Sequence, residues 1–382
     1  MKAVSIDPKE ISVVIQGPLH LDQGPGIYDC IESIKRHLPG AEIIVSTWLS
    51  EPALPDSGVS VVRSELPPLT IDVDGRPINT QRQRLSTLRG IEAAKRPFIL
   101  KFRANHCLAD ARIAQVARYE DDGLAEYRLF SSPITTTTMF FRDPSVLSLP
   151  FHPSDLVQFG RREDLLSFWS APPIERSELF LPRPRLNPFG SFVRFTGRRY
   201  VPEQELTIAF LRSRGYDIAL GHICHLTPNL MRFSESVLLE NFHVLDWRDA
   251  GIEFPARMVK RATRQDADYS AASAAAIKEK LVGRSYALRC ARTLAHKFVF
   301  AVFTKKWWRR ATSYVYLRWP AYLNRLRQRH FRQYAIDAKQ LSEGEHKGWQ
   351  PSWSGSRLAM PESRPKAAKD AERYLEGQIT GR

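Results

Sequence analysis

Short apolar runs alternate with segments of helical spacing over the first hundred residues of the chain. This alternation predicts an α/β fold in which parallel strands form a Rossmann-like sheet and helices cover its faces. Helical spacing extends over Ile27–Leu38 and over a segment from Asn79 or Thr80 to Ala94. The predicted strands are Ile11–Ile15, Glu42–Thr47, Val59–Val62 and Phe98–Phe102.

The second half of the sequence has a less regular pattern. Tyr127–Ser132 and Thr135–Phe141 predict two further strands that pair antiparallel, which would make the sheet mixed. Pro202 suits the first turn of a helix that ends near Gly215. The other predicted elements are a strand at Asp217–Leu220 and helices at Ser234–Trp247 and Ser270–Leu281.

The positive charge of the chain is concentrated in one segment. The net charge is +15 over 382 residues, but residues 284–333 contain 13 Lys and Arg and no Asp or Glu. Aromatic residues lie among these cations, which predicts interfacial helices that hold the protein on a membrane surface. The alternatives are an RNA- or DNA-binding stretch and a helical cover that packs on the main domain. The polar residues 346–382 predict a disordered tail.

The cysteines and the apolar runs favour a cytoplasmic protein. The four cysteines are far apart and form no CxxC or Cys/His metal spacing. They are therefore expected to be reduced thiols rather than a disulfide framework. The first ten residues contain no apolar core of a secretory signal, and no run approaches the ~18 apolar residues of a membrane-spanning helix.

A polar cluster follows the last of the regular strands. The stretch P-F-I-L-K-F-R-A-N-H-C-L releases Lys101, Arg103, Asn105 and His106 at the carboxyl end of the strand. Residues 101, 103 and 105 share one face of an extended chain. Open α/β sheets bind ligands at this edge, and the cluster suits an anion such as a nucleotide diphosphate.

Six motifs occur in one order over residues 11 to about 245. They are I-S-V-V-I-Q-G-P-L, S-I-K-R-H-L-P-G-A-E-I-I-V-S-T-W, N-T-Q-R-Q-R-L-S-T-L-R-G-I-E-A-A-K, L-K-F-R-A-N, F-H-P-S-D-L-V-Q-F-G-R-R-E-D-L and P-E-Q-E-L. Together they resemble the WavE family of lipopolysaccharide-synthesis proteins. The resemblance implies a glycosyltransferase of the GT-A class that acts in surface-polysaccharide or lipopolysaccharide assembly in a Gram-negative bacterium. It implies a GT-A-like domain over residues 1–250, followed by the basic aromatic extension, 251–345.

Two loops after strands are candidates for contacts with the nucleoside of a nucleotide-sugar donor. Gln16, Gly17 and Pro18 follow the first strand, where glycine allows a ligand to approach closely. Thr47 ends the second strand beside a tryptophan whose indole could stack on a base. The structural alternatives are an ordinary turn and a core tryptophan.

Cations and amides near a helix start and a strand end are candidates for the phosphates of that donor. Asn79 and Arg82 lie at the start of a helix, where backbone N–H groups assist anion binding. Lys101, Arg103 and Asn105 complete the candidate donor site. For the helical residues, the alternative is a solvated surface.

The resemblance leaves a metal cofactor in doubt. Members of the family read K-x-R-x-D after the fourth strand, and that Asp resembles the metal-binding acid of GT-A enzymes. This chain has Asn105 there, and Mg²⁺ or Mn²⁺ prefers carboxylate oxygens. Asn105 and His225 are the candidate ligands for a divalent cation, and Lys101 with Arg103 could neutralise a diphosphate without one.

Two carboxylates are candidates for the catalytic base. An inverting transferase needs a base to deprotonate the acceptor hydroxyl, and Glu203 is the first candidate and Asp155 the second. His152 is a candidate for acceptor contact. The structural alternatives are that Asp155 caps the helix that follows it and that Glu203 only complements a helix dipole.

The sequence analysis therefore predicts a transferase that moves a sugar from a nucleotide-sugar donor to a lipid-linked saccharide at the cytoplasmic face of the inner membrane. Three alternatives stay open. They are a nucleotidyltransferase, a non-catalytic sugar-nucleotide-binding or scaffold subunit, and a nucleic-acid-binding protein. The nucleotidyltransferase would need a Gly- and Arg-rich signature after the first strand, which Gln16–Leu19 lacks.

Overall fold

A seven-stranded mixed sheet lies at the centre of the fold. The computed structural model describes residues 3–21, 25–54, 58–71, 77–120, 124–181, 198–265, 267–281, 285–299 and 319. The strands are Ala3–Ser5 (β1), Ile11–Gln16 (β2), Glu42–Trp48 (β3), Ser60–Ser64 (β4), Thr70–Ile71 (β5), Pro77–Ile78 (β6), Phe98–Arg103 (β7), Cys107–Leu108 (β8), Gln115–Ala117 (β9), Ile134–Thr137 (β10), Gln158–Arg161 (β11), Phe242–Leu245 (β12) and Ile252–Glu253 (β13).

The strand order of the central sheet is β12-β10-β11-β7-β2-β3-β4. Strands β7, β2, β3 and β4 are parallel, whereas β11 runs antiparallel to both of its neighbours, β7 and β10. The predicted α/β fold with a mixed sheet is therefore confirmed. The order reverses at β2, because the chain adds β3 and β4 on one side of this strand and β7 on the other.

Helices cover both faces of the sheet, because alternate strand residues are apolar on both sides. On β2, Val13 belongs to a core cluster with Ile34 of the first helix, whereas Val14 belongs to a second cluster with Ile91 of the second helix. The helices are Ile27–His37 (α1), Thr80–Ala93 (α2), Arg162–Ser170 (α3), Arg176–Leu179 (α4), Pro202–Ser213 (α5), Pro228–Asn241 (α6), Ala256–Gln265 (α7), Ala271–Leu281 (α8) and Ser285–Phe298 (α9).

The segment Tyr127–Ser132 forms no strand, and that prediction is wrong. Its backbone amides bind side chains instead of a neighbouring strand. The N–H of Leu129 donates to Asn241 Oδ1 at 2.7 Å, and the N–H of Ser131 donates to Asp164 Oδ1 at 2.8 Å. Since these acceptors come from α6 and α3, the local apolar pattern contains no sign of them.

Predictions of three other elements need correction. Residues 217–220 form no strand, and the predicted strand Thr135–Phe141 is shortened to β10. The predicted helix Ser234–Trp247 is a helix, α6, followed by a strand, β12. The helix begins earlier than predicted because Thr227 Oγ1 accepts a hydrogen bond from the N–H of Leu230 at 3.2 Å.

The basic aromatic segment is described mainly at its start, as α9. Most of residues 284–333, and all of 346–382, lie outside the described residues. Helix α9 packs on α6, where Arg289 Nη2 lies 2.6 Å from the buried Glu235 carboxylate and 2.8 Å from that of Asp143. No helix within the described ranges is both long and apolar enough to cross a membrane. The predicted domain division at residues 250 and 345 stays a prediction.

Gly90 allows α2 to lie close against the sheet. A Cβ at this position would meet Val14 Cγ1 at 2.3 Å and Ser46 Cβ at 3.1 Å. One turn earlier, Ser86 Oγ donates a hydrogen bond of 2.8 Å to Gln16 Oε1 at the carboxyl end of β2. The close approach therefore positions the first half of α2 over the ends of the parallel strands.

We expect Gly90→Ala to lower the free energy of unfolding by roughly 1–3 kcal/mol, because overpacking outweighs the gain in helix propensity. Urea unfolding followed by circular dichroism measures the change. Gly160→Ala is the control, since a Cβ there would meet Ile134 no closer than 3.5 Å. A Gly90→Ala protein as stable as the wild type would contradict this account of the packing.

Candidate active site

The candidate site lies where the strand order reverses, between β2 and β7. These strands are adjacent and parallel, and Gln16 lies opposite Arg103 in their register. Ligands of open α/β sheets bind in the crevice beyond the carboxyl ends of two such strands, because their connections leave in opposite directions. The topology thus selects this edge of the sheet without reference to any motif.

Asp155 is the centre of a buried polar cluster at this edge. Its carboxylate accepts a hydrogen bond from the Gln83 amide and lies 3.5 Å from Arg103 Nη2. The Lys101 ammonium donates to its backbone carbonyl. Burial acts to raise the pKa of Asp155, but the charges of Arg103 and Lys101 and the Gln83 hydrogen bond outweigh it and lower that pKa. Asp155 is thus an ionised carboxylate at neutral pH.

Lys101 and Arg103 share one face of β7, as their spacing predicts, but they differ in exposure. Lys101 is fully buried, with its Nζ 4.7 Å from the centre of the Trp169 ring. Burial is the main reason that the pKa of Lys101 falls to about 7. The Arg103 side chain is 25% exposed, so it is the cation of this pair that a ligand can reach.

Glu203 lies in the first turn of α5, and its environment shifts its pKa in the direction opposite to the shift of Asp155. Its Oε2 is 3.4 Å from Nε2 of His152, and the side chain is 22% exposed. Burial, and then the neighbouring charge of Asp155, raise the pKa of Glu203 to about 7. Burial and the charge of Arg142 lower the pKa of His152 to about 3, so this contact joins a carboxyl group to a neutral imidazole.

The two predicted nucleoside loops have different environments. Gly17 has φ +99°, a backbone conformation that favours glycine, and its N–H donates to the Ser46 carbonyl at 3.0 Å. Pro18 is exposed beside it, whereas Gln16 is buried against α2. Thr47 is fully buried, and its Oγ1 has no hydrogen-bond partner among the described residues.

The predicted phosphate contacts on α2 lie at its start. Asn79 is exposed and precedes the first turn, and its side chain makes no capping hydrogen bond. Arg82 donates from Nε to the Pro67 carbonyl at 2.7 Å, and burial lowers its pKa. Donor binding by both residues stays a prediction.

The candidate metal ligands do not form a metal-binding set. Asn105 Oδ1 lies 2.9 Å from Nδ1 of the buried His106, and His225 Nδ1 accepts from the N–H of Gly221 at 3.0 Å. The part of the chain that the structure describes contains no group of three His, Cys, Asp or Glu residues that could hold a metal ion. These donors do not fit a divalent cation, and the cation that the sequence analysis leaves in doubt stays untested.

Gln83 and Arg142 belong to the cluster but are not among the predicted site residues. Gln83 lies on the same stripe of α2 as Gly90, so a helical wheel that treats small and polar residues as buried would have found it. Arg142 lacks such a local signal, because its partner is distant in sequence. Its Nη1 pairs with Asp268 Oδ1 at 2.7 Å, and its charge acts on Glu203.

A comparison with protein families matches residues 11–315 to the model described as WavE lipopolysaccharide synthesis. The chain belongs to the WavE family. The family expected from the motifs is therefore confirmed, and the match includes every predicted site residue. No curated protein matches the chain significantly.

One similar solved structure is the crystal structure of S. aureus TarS 1–349. It is 10% identical in sequence, and the match covers 80% of each chain with a TM-score of 0.24. A TM-score this low supports no inference about fold or activity.

We expect Asp155→Asn to lower the free energy of unfolding at pH 7 by roughly 1–3 kcal/mol, because Lys101 and Arg103 lose their counter-charge. The lowered pKa of Asp155 means that its stabilising contribution is present above the ordinary Asp pKa, about 4, and is lost as the pH falls below it. Denaturant titrations at pH 7 and pH 3 measure both effects.

The control for this prediction is Asp246→Asn, which removes a carboxylate 3.7 Å from the exposed Arg248. Pairs of this kind contribute little to stability, so its change should be small at both pH values. Equal losses for the two variants, or a loss for Asp155→Asn that does not shrink in acid, would contradict the assignment.

Proposed function

We propose that this protein is a glycosyltransferase that moves a sugar from a nucleotide-sugar donor to a lipopolysaccharide or other surface-polysaccharide glycolipid. The proposal rests mainly on one observation. Two carboxylates meet at the carboxyl edge of the sheet, and their environments lower the pKa of Asp155 and raise that of Glu203. Pairs of acids separated in this way are typical of sites that need one fixed charge and one proton-transfer group. Membership of a lipopolysaccharide-synthesis family supports the proposed acceptor class.

Glu203 is the proposed general base. A base works best when its pKa is near the working pH, and the pKa of Glu203 is about 7. The carboxylate takes the proton of an acceptor hydroxyl, whose oxygen forms a bond to the anomeric carbon of the donor. The bond between that carbon and the phosphate oxygen breaks, and the nucleoside diphosphate leaves with the electron pair. Attack opposite the leaving group inverts the anomeric configuration.

Asp155 and Lys101 have positioning roles in this proposal. Asp155 holds Arg103 at the strand end and raises the pKa of Glu203 through its charge. Lys101 is fully buried and donates a hydrogen bond to the backbone carbonyl of Asp155, which fixes the position of that residue. Arg103 meets the negative charge of the leaving diphosphate, and His152 orients the Glu203 carboxylate and contacts the acceptor. No step in this scheme passes through a metal.

The remaining predicted residues complete the donor and acceptor sides of the proposal. Gln16–Pro18 and Thr47 would contact the nucleoside, and Asn79 and Arg82 would contact phosphate at the start of α2. The basic segment 284–333 would hold the protein on the cytoplasmic face of the inner membrane, close to a lipid-linked acceptor.

A donor of the right class should raise the melting temperature of the protein by several degrees at 100 times its Kd, since such a ligand adds about 2.7 kcal/mol to stability. The measurement is a thermal-shift panel of UDP-, GDP-, CMP- and dTDP-sugars, each with EDTA and with Mn²⁺. Arg103→Ala should reduce the shift, whereas Arg36→Ala, an exposed residue paired within α1, should not.

A folded protein that responds to none of these nucleotides would contradict the proposal. It would favour instead a non-catalytic subunit of polysaccharide synthesis, a function that Asn105 in place of the family's Asp also suits. Asn105→Asp provides a second comparison, because a gain of metal-dependent turnover in this variant would indicate a site built for catalysis.

The rate should rise with pH through an apparent pKa near 7, because only ionised Glu203 can accept the acceptor proton. The pH profile of kcat/KM, measured as release of the nucleoside diphosphate, tests this. Glu203→Gln should abolish this rise with pH, the acidic limb of the profile, and lower the rate by roughly 10²- to 10⁴-fold.

Glu205→Gln is a matched control for that profile. Glu205 lies in the same helix, and burial also raises its pKa to about 7. Unlike Glu203, however, it has almost no surface that an acceptor could reach, and it accepts a hydrogen bond from Gln81 Nε2 at 3.1 Å. The limb should persist in Glu205→Gln. A limb that disappears in this variant, or that survives in Glu203→Gln, would exclude Glu203 as the base.

A further inference from the structure

Helix α7 is attached to the carboxyl end of β7 by a short antiparallel pair. After β7 the chain forms β8, and β13 pairs with it so that Glu253 lies opposite Cys107. The next residue, Phe254, packs edge-on against the ring of His106, with the ring centres 5.2 Å apart. Because α7 begins two residues later, its first turn is held beside the loop that carries Asn105.

Two arginines lie along one side of α7. Arg257 and Arg261 are exposed and four residues apart, so their side chains are neighbours on the helix surface. Met258 and Ala262 are buried in the core cluster below the helix. Packing of these two apolar residues therefore determines how the arginine side is oriented.

Arg261 lies near Arg142, a residue that influences Glu203. The Arg261 guanidinium lies 5.3 Å from the centre of the Phe140 ring, and that of Arg142 lies 4.8 Å from the same centre. Arg142 also acts electrostatically on Glu203. Arg261 and Arg142 therefore both lie next to the Phe140 ring, and Arg142 is the residue whose charge acts on Glu203, the proposed base.

The Arg257 end lies beside the Arg103 environment. Burial is the main cause that lowers the pKa of His20 and of His106, and the charges of Arg257 and Arg103 lower both further. His20 follows the Gly17 turn and has φ +54°, which places it in the left-handed region. Arg257 and Arg103 therefore both act on the loops that follow β2 and β7, and Arg261 lies one helical turn further along α7.

This region has positive charge and hydrogen-bond donors in excess. No carboxylate among the described residues lies within ion-pair distance of Arg257 or Arg261, and Arg103 has a single ion-pair partner there, Asp155. Arg103 Nε is buried and has no hydrogen-bond partner in the described part of the chain. The same is true of Nε2 of the fully buried His106.

We propose that Arg257 and Arg261, together with Arg103, bind the two phosphate groups of the donor diphosphate. The Cα atoms of residues four apart on a helix are about 6 Å apart along its axis, so their guanidinium groups can contact adjacent phosphates. Planar guanidinium groups also bind phosphate oxygens through paired N–H bonds. The inference rests on the proposed function for the nucleotide, but its charge chemistry requires only a diphosphate.

The experiment is isothermal titration calorimetry on the full chain with UDP, GDP, CDP, dTDP, their monophosphates and inorganic pyrophosphate. Arg257→Ala and Arg261→Ala should each weaken pyrophosphate binding by roughly tenfold, the usual effect of a lost charged hydrogen bond. They should also reduce the preference for the diphosphate of the bound nucleoside over its monophosphate. Lys260→Ala, an exposed cation of the same helix, should change neither quantity by more than about twofold.

The arms of the experiment separate this inference from the proposed function. Nucleotide binding that is unchanged in both arginine variants, as judged in protein with wild-type thermal unfolding, would overturn the role of α7 and leave the donor proposal intact. Pyrophosphate binding that depends on both arginines, without binding of any nucleotide, would support the diphosphate site and contradict the nucleotide-sugar donor. An equal loss of pyrophosphate affinity in Lys260→Ala would mean that net charge alone explains the effect, and it would overturn the inference. A wild-type protein that binds none of the probes would overturn it as well.

Discussion

The negative charge of Asp155 allows two basic side chains to occupy the end of a buried strand. Lys101 is closed off from solvent, and taking an ammonium group out of water costs several kcal/mol unless a partner compensates. Asp155 contributes both its carboxylate, near Arg103, and its carbonyl, bound to Lys101. Gln83 binds the same carboxylate from α2, so helix, strand and loop meet at one group.

The same charge separates the roles of the two acids. Ionised Asp155 is one of the causes that raise the pKa of Glu203, and burial of Glu203 adds to it. At a helix start the dipole alone would lower that pKa. The environment of the carboxyl group therefore outweighs its position in the helix. A single fixed charge thus serves both the stability of the strand end and the chemistry proposed for the neighbouring helix.

Local pattern predicted the first half of the fold well, because its strands and helices bury faces that repeat within a few residues. Elements β2, α1, β3 and β7 are within a residue or so of their expected bounds. Helix α2 was also predicted, but its buried side includes Gln83, Thr87 and Gly90 besides the apolar Ile91. Small and polar residues are buried there because the helix approaches the strands closely. The spacing of hydrophobic residues in the sequence does not predict a contact of this kind.

The site was predictable where its residues follow a strand, begin a helix or lie in one of the family's motifs. Asp155 and Glu203 were candidates from the sequence, but the contact of Asp155 with β7 depends on β11 pairing antiparallel beside that strand. Arg142 is paired with Asp268, 126 residues further along the chain. A sequence pattern within one element contains no information about partners that only the completed sheet brings together.

The attachment of α7 through β13 has a consequence for how the protein can be divided. A fragment that ended at residue 250 would lose Ile252, Phe254 and Met258, all of which are buried in the core cluster on the α1 face of the sheet. The ring of His106, against which Phe254 packs, and part of that core cluster would then be exposed to water. Such a fragment is expected to aggregate, so recombinant work on the part that contains the central sheet should retain the chain at least to the end of α7.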